Sequence, residues 1–381
     1  MKLHANDYML TRLSSQFASA LVSFGDLETK WLGDNLQQKP ITAPIFICGL
    51  ARSGTTILLN VLSKADGIAT HRYRDFPFVF VPSLWKRYQD RFAATADPVE
   101  RPHKDRILIT KESPDAFEEP IWQHFFPKAH DPKASHVLDR KLSNEEFEAF
   151  FQDHIRKILM LRGGSRYLSK GNYNVTRLDY LDGLFADPKF LVPIRHPFTH
   201  VHSLVTQHRR FTDYAKDDPR IPRYLEIAGH YEFGPQRIPI HVTADGARRI
   251  EECWRKGDDY RGYAILWAEV YRYVHELRSG AGSGFAERMK FVLYENLCGE
   301  PNDVLADVIA FVGLQDQAAK LAKEADSISA PPAKLNELPD AILNEVWEEV
   351  RTVAELFGYT RTETGPVVTP NTDSEHSVPT E

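Results

Sequence analysis

The run Ile45-Phe-Ile-Cys-Gly-Leu-Ala-Arg-Ser-Gly-Thr-Thr-Ile-Leu-Leu-Asn60 constrains the fold more than any other stretch of this chain. Four consecutive apolar residues, Ile45 to Cys48, predict a buried strand. A turn framed by Gly49 and Gly54 follows, and Thr55 opens an apolar helix. In that order, strand, turn and helix aim backbone N–H groups and a helix N-terminus at one point, the physical arrangement that cradles a phosphate. The G-x-x-x-x-G spacing matches a nucleotide P-loop, but Thr55 stands where kinases and ATPases carry the lysine that reaches the β/γ-phosphates. The cation comes earlier, as Arg52. The plain alternative is a glycine turn with a surface arginine. Two glycines, two threonines and the flanking strand together favour anion binding.

Further strands and helices alternate along the chain. Apolar positions at Leu10, Leu13, Phe17, Leu21, Phe24 and Leu27 predict one amphipathic helix over Tyr8–Trp31. Ser143-Asn-Glu-Glu146 reads as a capped start for a helix over Phe147–Leu161. Short strands are expected at Arg106–Thr110, Tyr167–Lys170, Phe190–Ile194 and Lys290–Tyr294. Helices are expected at Phe117–Phe126, Leu178–Phe185, Phe198–Phe211, Ile250–Arg278, Asn302–Val312 and Val346–Leu356, with loop over Asp217–Pro239. This alternation predicts an α/β fold, a mainly parallel sheet flanked by helices. Residues 1–361 read as a single domain, and the Thr/Pro/Ser/Glu-rich stretch from 362 to 381 as disordered.

A second anion grip is readable at Phe190-Leu-Val-Pro-Ile-Arg-His-Pro-Phe-Thr-His-Val-His-Ser203. Arg195 ends a predicted strand, on the sheet edge where open α/β folds bind ligands. Ser203 follows about two helical turns later. A guanidinium grips a phosphate with two N–H groups and a hydroxyl adds a third bond. A structural salt bridge at a strand end is the bland reading of Arg195. Two grips on one sheet edge suit a nucleotide with phosphates at both ends of its ribose.

Cys48-Gly-Leu-Ala-Arg-Ser-Gly-Thr-Thr56, Arg195 with Ser203, and Leu293-Tyr-Glu-Asn-Leu297 together resemble the sulfotransferases, which use 3′-phosphoadenosine-5′-phosphosulfate (PAPS). The resemblance implies a P-loop NTPase-like sulfotransferase architecture. It assigns Arg52, Ser53, Gly54, Thr55 and Thr56 to the 5′-phosphosulfate, and Arg195 and Ser203 to the 3′-phosphate. A long segment, about 71–166, separates the first grip from the second, as in the divergent, mainly bacterial branches where a largely helical insertion shapes the acceptor pocket. The implied reaction is in-line transfer of a sulfuryl group to a hydroxyl or amine, with Arg52 stabilising the leaving oxygen and no metal required. A general base is needed. Asp75 is the first candidate, Glu118 the second, and His71 a rival whose ordinary pKa lies near neutrality; Glu112 and Glu119 also fall in the acceptor segment. Each has a structural alternative: Arg72 and Arg74 flank Asp75 as ion-pair partners, and Glu118-Glu119 suits a helix start. Lys170, at a strand end, either reaches the sulfate or acceptor or is simply solvated.

Composition removes other classes. A net charge of −6 argues against nucleic-acid binding over the whole surface. Cys48, Cys253 and Cys298 have neither zinc-site nor disulfide spacing. His196 and His200 have helical spacing without an H-E-x-x-H pattern, so metal binding is not expected. No apolar run reaches the roughly 18 residues of a membrane span, and no secretory signal opens the sequence, so a cytoplasmic protein is expected. The acceptor is open between small molecule, glycan and lipid. A P-loop small-molecule kinase and a non-catalytic nucleotide-binding module are the alternatives from other functional classes.

Overall fold

The computed structural model describes residues 3–91, 98–104, 108–280, 284–328 and 338–362. Its strands are β1 (Ile45–Cys48), β2 (Ile68–Ala69), β3 (Val99–Glu100), β4 (Leu108–Ile109), β5 (Arg166–Gly171), β6 (Lys189–Ile194) and β7 (Met289–Leu293). Five of them form one sheet in the order β2-β5-β1-β6-β7, with every pairing parallel. The other two, β3 and β4, make a small antiparallel pair. The expected α/β class is the observed one.

After β1 the chain moves to one side of the sheet for β2 and β5, then crosses to the other for β6 and β7. That reversal puts a crevice at the C-terminal end of β1, where doubly wound folds bind ligands. Every β1 side chain is fully buried, because helices cover both sheet faces. Phe46 and Cys48 enter one apolar core with Phe185 and Phe190, while Ile45 and Ile47 enter the other with Leu58, Leu62 and Leu168. The period of two along the strand thus supplies both layers.

Several elements differ from the sequence expectation. The single N-terminal helix is two, Ala5–Gln16 and Ala18–Leu32, joined at Phe17. Most of the expected apolar face points outward: Leu13, Phe17, Phe24 and Leu27 are exposed and Leu10 and Leu21 half-buried, while Thr11, Ser14, Val22, Gly25 and Glu28 are buried. Close approach explains the inversion. A Cβ on Gly25 would lie 2.6 Å from the Phe80 carbonyl oxygen, so only glycine admits the contact. Ser14 Oγ donates to the Pro77 carbonyl at 2.6 Å, and buried Lys157 pairs with Glu28 at 3.3 Å.

The expected Asp217–Pro239 loop contains a helix, Ile221–Ala228, and the helix after β6 runs from Pro197 to Asp217. Ile250–Arg278 belongs to two helices, Ala244–Arg255 and Asp259–Ser279, separated at Gly257, whose φ of 80° ends the first. The tail assigned to disorder lies outside the described residues from 363 onward, as do residues 105–107 at the start of the expected Arg106–Thr110 strand.

Candidate active site

The crevice beyond β1 is built by the stretch read first from the sequence. Gly54 caps the helix Thr55–Leu62 with a φ of 109°, and a Cβ there would meet the Tyr294 ring at 2.8 Å. A Cβ on Gly49 would lie 2.9 Å from Ser53 Oγ. Arg52 itself sits at a φ of 72°, a strained conformation for a side-chain-bearing residue. His200 Nε2–H donates to the Ala51 carbonyl at 2.9 Å and fastens the loop to the helix after β6. Ser53 Oγ is buried in the loop beside the Tyr271 hydroxyl.

Arg195 leaves the end of β6 and returns to this loop. Its Nη1 donates to the Arg52 carbonyl at 3.3 Å and its Nε to Thr199 Oγ1 at 3.0 Å. The guanidinium lies 4.7 Å over the Tyr294 ring. Trp267 Nε1–H donates to the Arg195 carbonyl at 3.1 Å, fixing the strand end from below. Arg52 Nε donates to Ser203 Oγ at 3.3 Å. The two grips therefore meet, with residues 151 positions apart in direct contact.

A cavity of about 770 Å³ opens from the loop, with Arg52, Thr55 and Thr56 at its inner end. Lys170 and Asn172 line it from the end of β5. The pairing Cys48↔Gly171 sets them beside the loop at the ordinary strand spacing of about 4.8 Å. Asp115 accepts from Lys170 Nζ at 3.0 Å and from the Tyr73 hydroxyl at 2.5 Å. Burial opposes its charge, but Lys170, then the Tyr73 hydroxyl and Arg101, hold Asp115 well below the usual carboxylate range. Glu232 accepts from Asn172 Nδ2 at 2.7 Å and lies 3.5 Å from His230 Nδ1. Burial works against both charges, yet each outweighs it for the other: His230 is raised and Glu232 is brought down to about 2. Arg101, from the segment before β4, donates to Thr56 Oγ1 at 3.3 Å and also faces the cavity.

Of the five residues read as candidate bases, Asp75, His71, Glu118 and Glu119 do not line this cavity. Asp75 is 3% exposed and accepts from Arg162 Nη2 at 2.6 and 2.7 Å and from the Arg72 N–H at 2.8 Å. Its carboxyl is depressed despite burial, by His71 first and then Arg162. His71 Nδ1 lies 3.3 Å from Asp75, and its Nε2 lies 2.9 Å from Nε2 of His154. Glu118 accepts from the Tyr167 hydroxyl; burial pushes its pKa up, against the pull of His71. These side chains form a polar knot inside the helical layer, and the ion-pair alternative describes Asp75, with Arg162 rather than Arg72 or Arg74 as side-chain partner. Glu112 does reach the cavity, paired with Arg72 at 2.6 Å and Arg74 at 2.8 Å. Glu119 pairs with Arg177 and His130, both at 2.6 Å.

Sequence reasoning missed Asp115, Arg101, Asn172 and the His230–Glu232 pair. The last had a faint signal, a His-x-Glu step beside a glycine in a proline-rich loop. His196 and His200 stay apart from any metal-like cluster: His196 Nε2–H donates to the Thr360 carbonyl at 2.9 Å. Burial lowers them to about 4 and about 3, so both rings are neutral hydrogen-bonding groups. Among the described residues no group of three His, Cys, Asp or Glu is arranged to hold a metal ion.

Residues 44–232 match the family model described as "Sulfotransferase family". The chain belongs to the sulfotransferase family. That span contains both grips and ends on Glu232. Similar solved structures include other sulfotransferases. STF1 from Mycobacterium tuberculosis H37Rv shares 13% identity over 86% of this chain and 83% of that one, with a TM-score of 0.48. STF9 from Mycobacterium avium shares 13% over 85% and 81%, also with a TM-score of 0.48. The sulfotransferase domain of the Synechococcus PCC 7002 olefin synthase shares 16% over 85% and 98%, with a TM-score of 0.36. No curated protein matches this sulfotransferase in sequence. Among its described residues no helix is long and apolar enough to cross a membrane.

Proposed function

We propose that this sulfotransferase moves a sulfuryl group from PAPS to a hydroxyl or amine in the cavity. The contact of Arg52 Nε with Ser203 Oγ at 3.3 Å carries the reading, because it joins two anion grips across one sheet edge. PAPS, when bound, supplies the sulfuryl group and the 5′-phosphate that leaves with the bridging electron pair. Arg52, the first N–H groups of the helix Thr55–Leu62 and Thr55 hold that end and spread its developing charge. Arg195 and Ser203 hold the 3′-phosphate. Arg195 needs little reordering for this, since Thr199, the Arg52 carbonyl and Tyr294 already fix its guanidinium.

The proton of the acceptor goes to His230. Glu232 faces Nδ1, so the Nδ1–H tautomer is favoured and Nε2 is left as the basic nitrogen. Glu232 then stabilises the imidazolium that forms, the role of a carboxylate behind any imidazole base. Lys170, paired with Asp115 beside the loop, adds positive charge near the transferred group.

Calorimetry with adenosine 3′,5′-bisphosphate tests the donor site. Arg52→Ala and Arg195→Ala each remove charge-assisted hydrogen bonds worth about 1.5–3 kcal/mol. Each is expected to weaken binding roughly 10- to 100-fold. Unchanged affinity in both variants removes the assignment.

A further inference from the structure

The outward apolar face of the N-terminal helices is concentrated, and the first of them also lines the cavity. Of the twelve large apolar side chains exposed among the described residues, eight lie on three helices: Ala5–Gln16 and Ala18–Leu32 with their junction, and Pro82–Gln89. All three helices adjoin one segment, 77–81. Ser14 bonds the Pro77 carbonyl, Gly25 packs on Phe80, and Pro82 continues the chain directly. Glu28 accepts the Leu84 N–H at 2.6 Å, and the Arg87 guanidinium lies 5.6 Å over the Trp31 ring, so the second and third helices share one outer surface.

This surface continues into the site. Leu10 and Thr11 of the first helix line the cavity, as do Trp85 and Tyr88 of the third. Tyr88 is 55% exposed and stacks on Trp85 at 5.4 Å, so one aromatic pair spans inside and outside. A protein partner seated over this face would close the route by which acceptors enter. A lipid surface covers the same side chains and leaves the mouth in use. The chemistry agrees: aromatic residues lead the face, as at membrane–water boundaries. Its helices carry Arg12, Lys30 and Arg87 against Asp7 and Asp26, with Glu28 buried and Lys86 paired to Asp90 at 2.7 Å, in a chain of net charge −6.

We propose that this face seats the protein on an anionic lipid surface, and that the acceptor is a hydroxyl-bearing amphiphile drawn from that surface through the cavity's mouth. The second half rests on the sulfuryl-transfer reading; the first does not. Depth of insertion follows from side-chain anchors such as Phe24, Leu27 and Trp31 on intact helices, without any membrane-spanning segment.

Co-sedimentation of the full chain with vesicles of phosphatidylcholine, alone or containing phosphatidylglycerol, tests it. Binding is expected with the anionic vesicles, at least tenfold weaker for the triple variant Phe24→Ser/Leu27→Ser/Trp31→Ser. The charge variant Arg12→Glu/Lys30→Glu/Arg87→Glu is expected to lose the preference for phosphatidylglycerol. Thermal unfolding and adenosine 3′,5′-bisphosphate binding, measured on the same samples, should match wild type in both variants. The bisphosphate titration also reads the donor site by itself, so the two readings fail separately. Wild type that stays in the supernatant with both vesicle types overturns the proposal. So does a folded triple variant that still sediments fully, or a stable dimer in sedimentation velocity that the triple variant dissolves.

Discussion

Asp75→Asn separates a structural carboxylate from a catalytic one. The Asp75–Arg162 pair is buried on both sides, with side chains 4% and 3% exposed. The amide keeps the shape but removes the charge opposite Arg162 and His71. Breaking a buried pair by losing one partner costs about 3–5 kcal/mol. Unfolding entropy of about 2.1 cal/mol/K per residue makes roughly 0.8 kcal/mol/K for a chain of this length, so the melting temperature should fall by about 4–6 °C. The penalty depends on pH in a defined direction. The folded carboxyl is depressed below its ordinary 3.8, so its stabilisation is complete above that value and disappears as the pH falls through the folded value. Wild type and variant should therefore differ fully at neutral pH and begin to converge only as the pH falls below 3.8. Melting curves by scanning fluorimetry between pH 3 and 8 measure this, and initial rates at 20 °C should stay within about threefold of wild type. A rate loss of a hundredfold with an unmoved melting temperature would refute the reasoning and return Asp75 to the chemistry.

Other outcomes follow from the cavity and its loop. His230→Gln should lower kcat by about 10²–10⁴ while leaving adenosine 3′,5′-bisphosphate affinity intact. Glu232 raises the imidazole pKa, and a base must be neutral, so Glu232→Gln should move the acidic limb of the kcat/KM profile to lower pH; an upward shift or none contradicts the assignment. Gly54→Ala places a Cβ 2.8 Å from the Tyr294 ring at a φ of 109°, and should cost on the order of 1–3 kcal/mol in stability and remove bisphosphate binding in calorimetry.

The loop after β1 and the end of β6 were legible because their signals are local. Ile45–Cys48 has no polar interruption, Gly49 and Gly54 frame the turn, and Arg195 follows an apolar strand directly. None of that needs knowledge of distant contacts. The acceptor side was not legible, since its polar groups are selected by tertiary partners. Asp75 and Asp115 look alike in sequence; only the folded chain gives Arg162 to one and Lys170 to the other. The N-terminal helix shows the limit of periodicity. A stripe of Leu13, Phe17, Phe24 and Leu27 names a face, but Gly25 and Ser14 decide which side docks, through a backbone approach that hydropathy does not encode.

The pairing of β1 with β5 has a consequence for how such a protein diversifies. The loop after β1 and Lys170 issue from strand ends whose alignment, Cys48 beside Gly171, is locked by a ladder of main-chain bonds. The opposite wall comes from Tyr73–Phe76, Trp85–Gln89, Thr110–Phe117 and Tyr224–Phe233, stretches that hang outside that ladder. Rewriting the hanging stretches changes which molecule is admitted without resetting the distance across which the group travels. On the proposed reading, substrate range and transfer geometry would then reside on separate pieces of polypeptide.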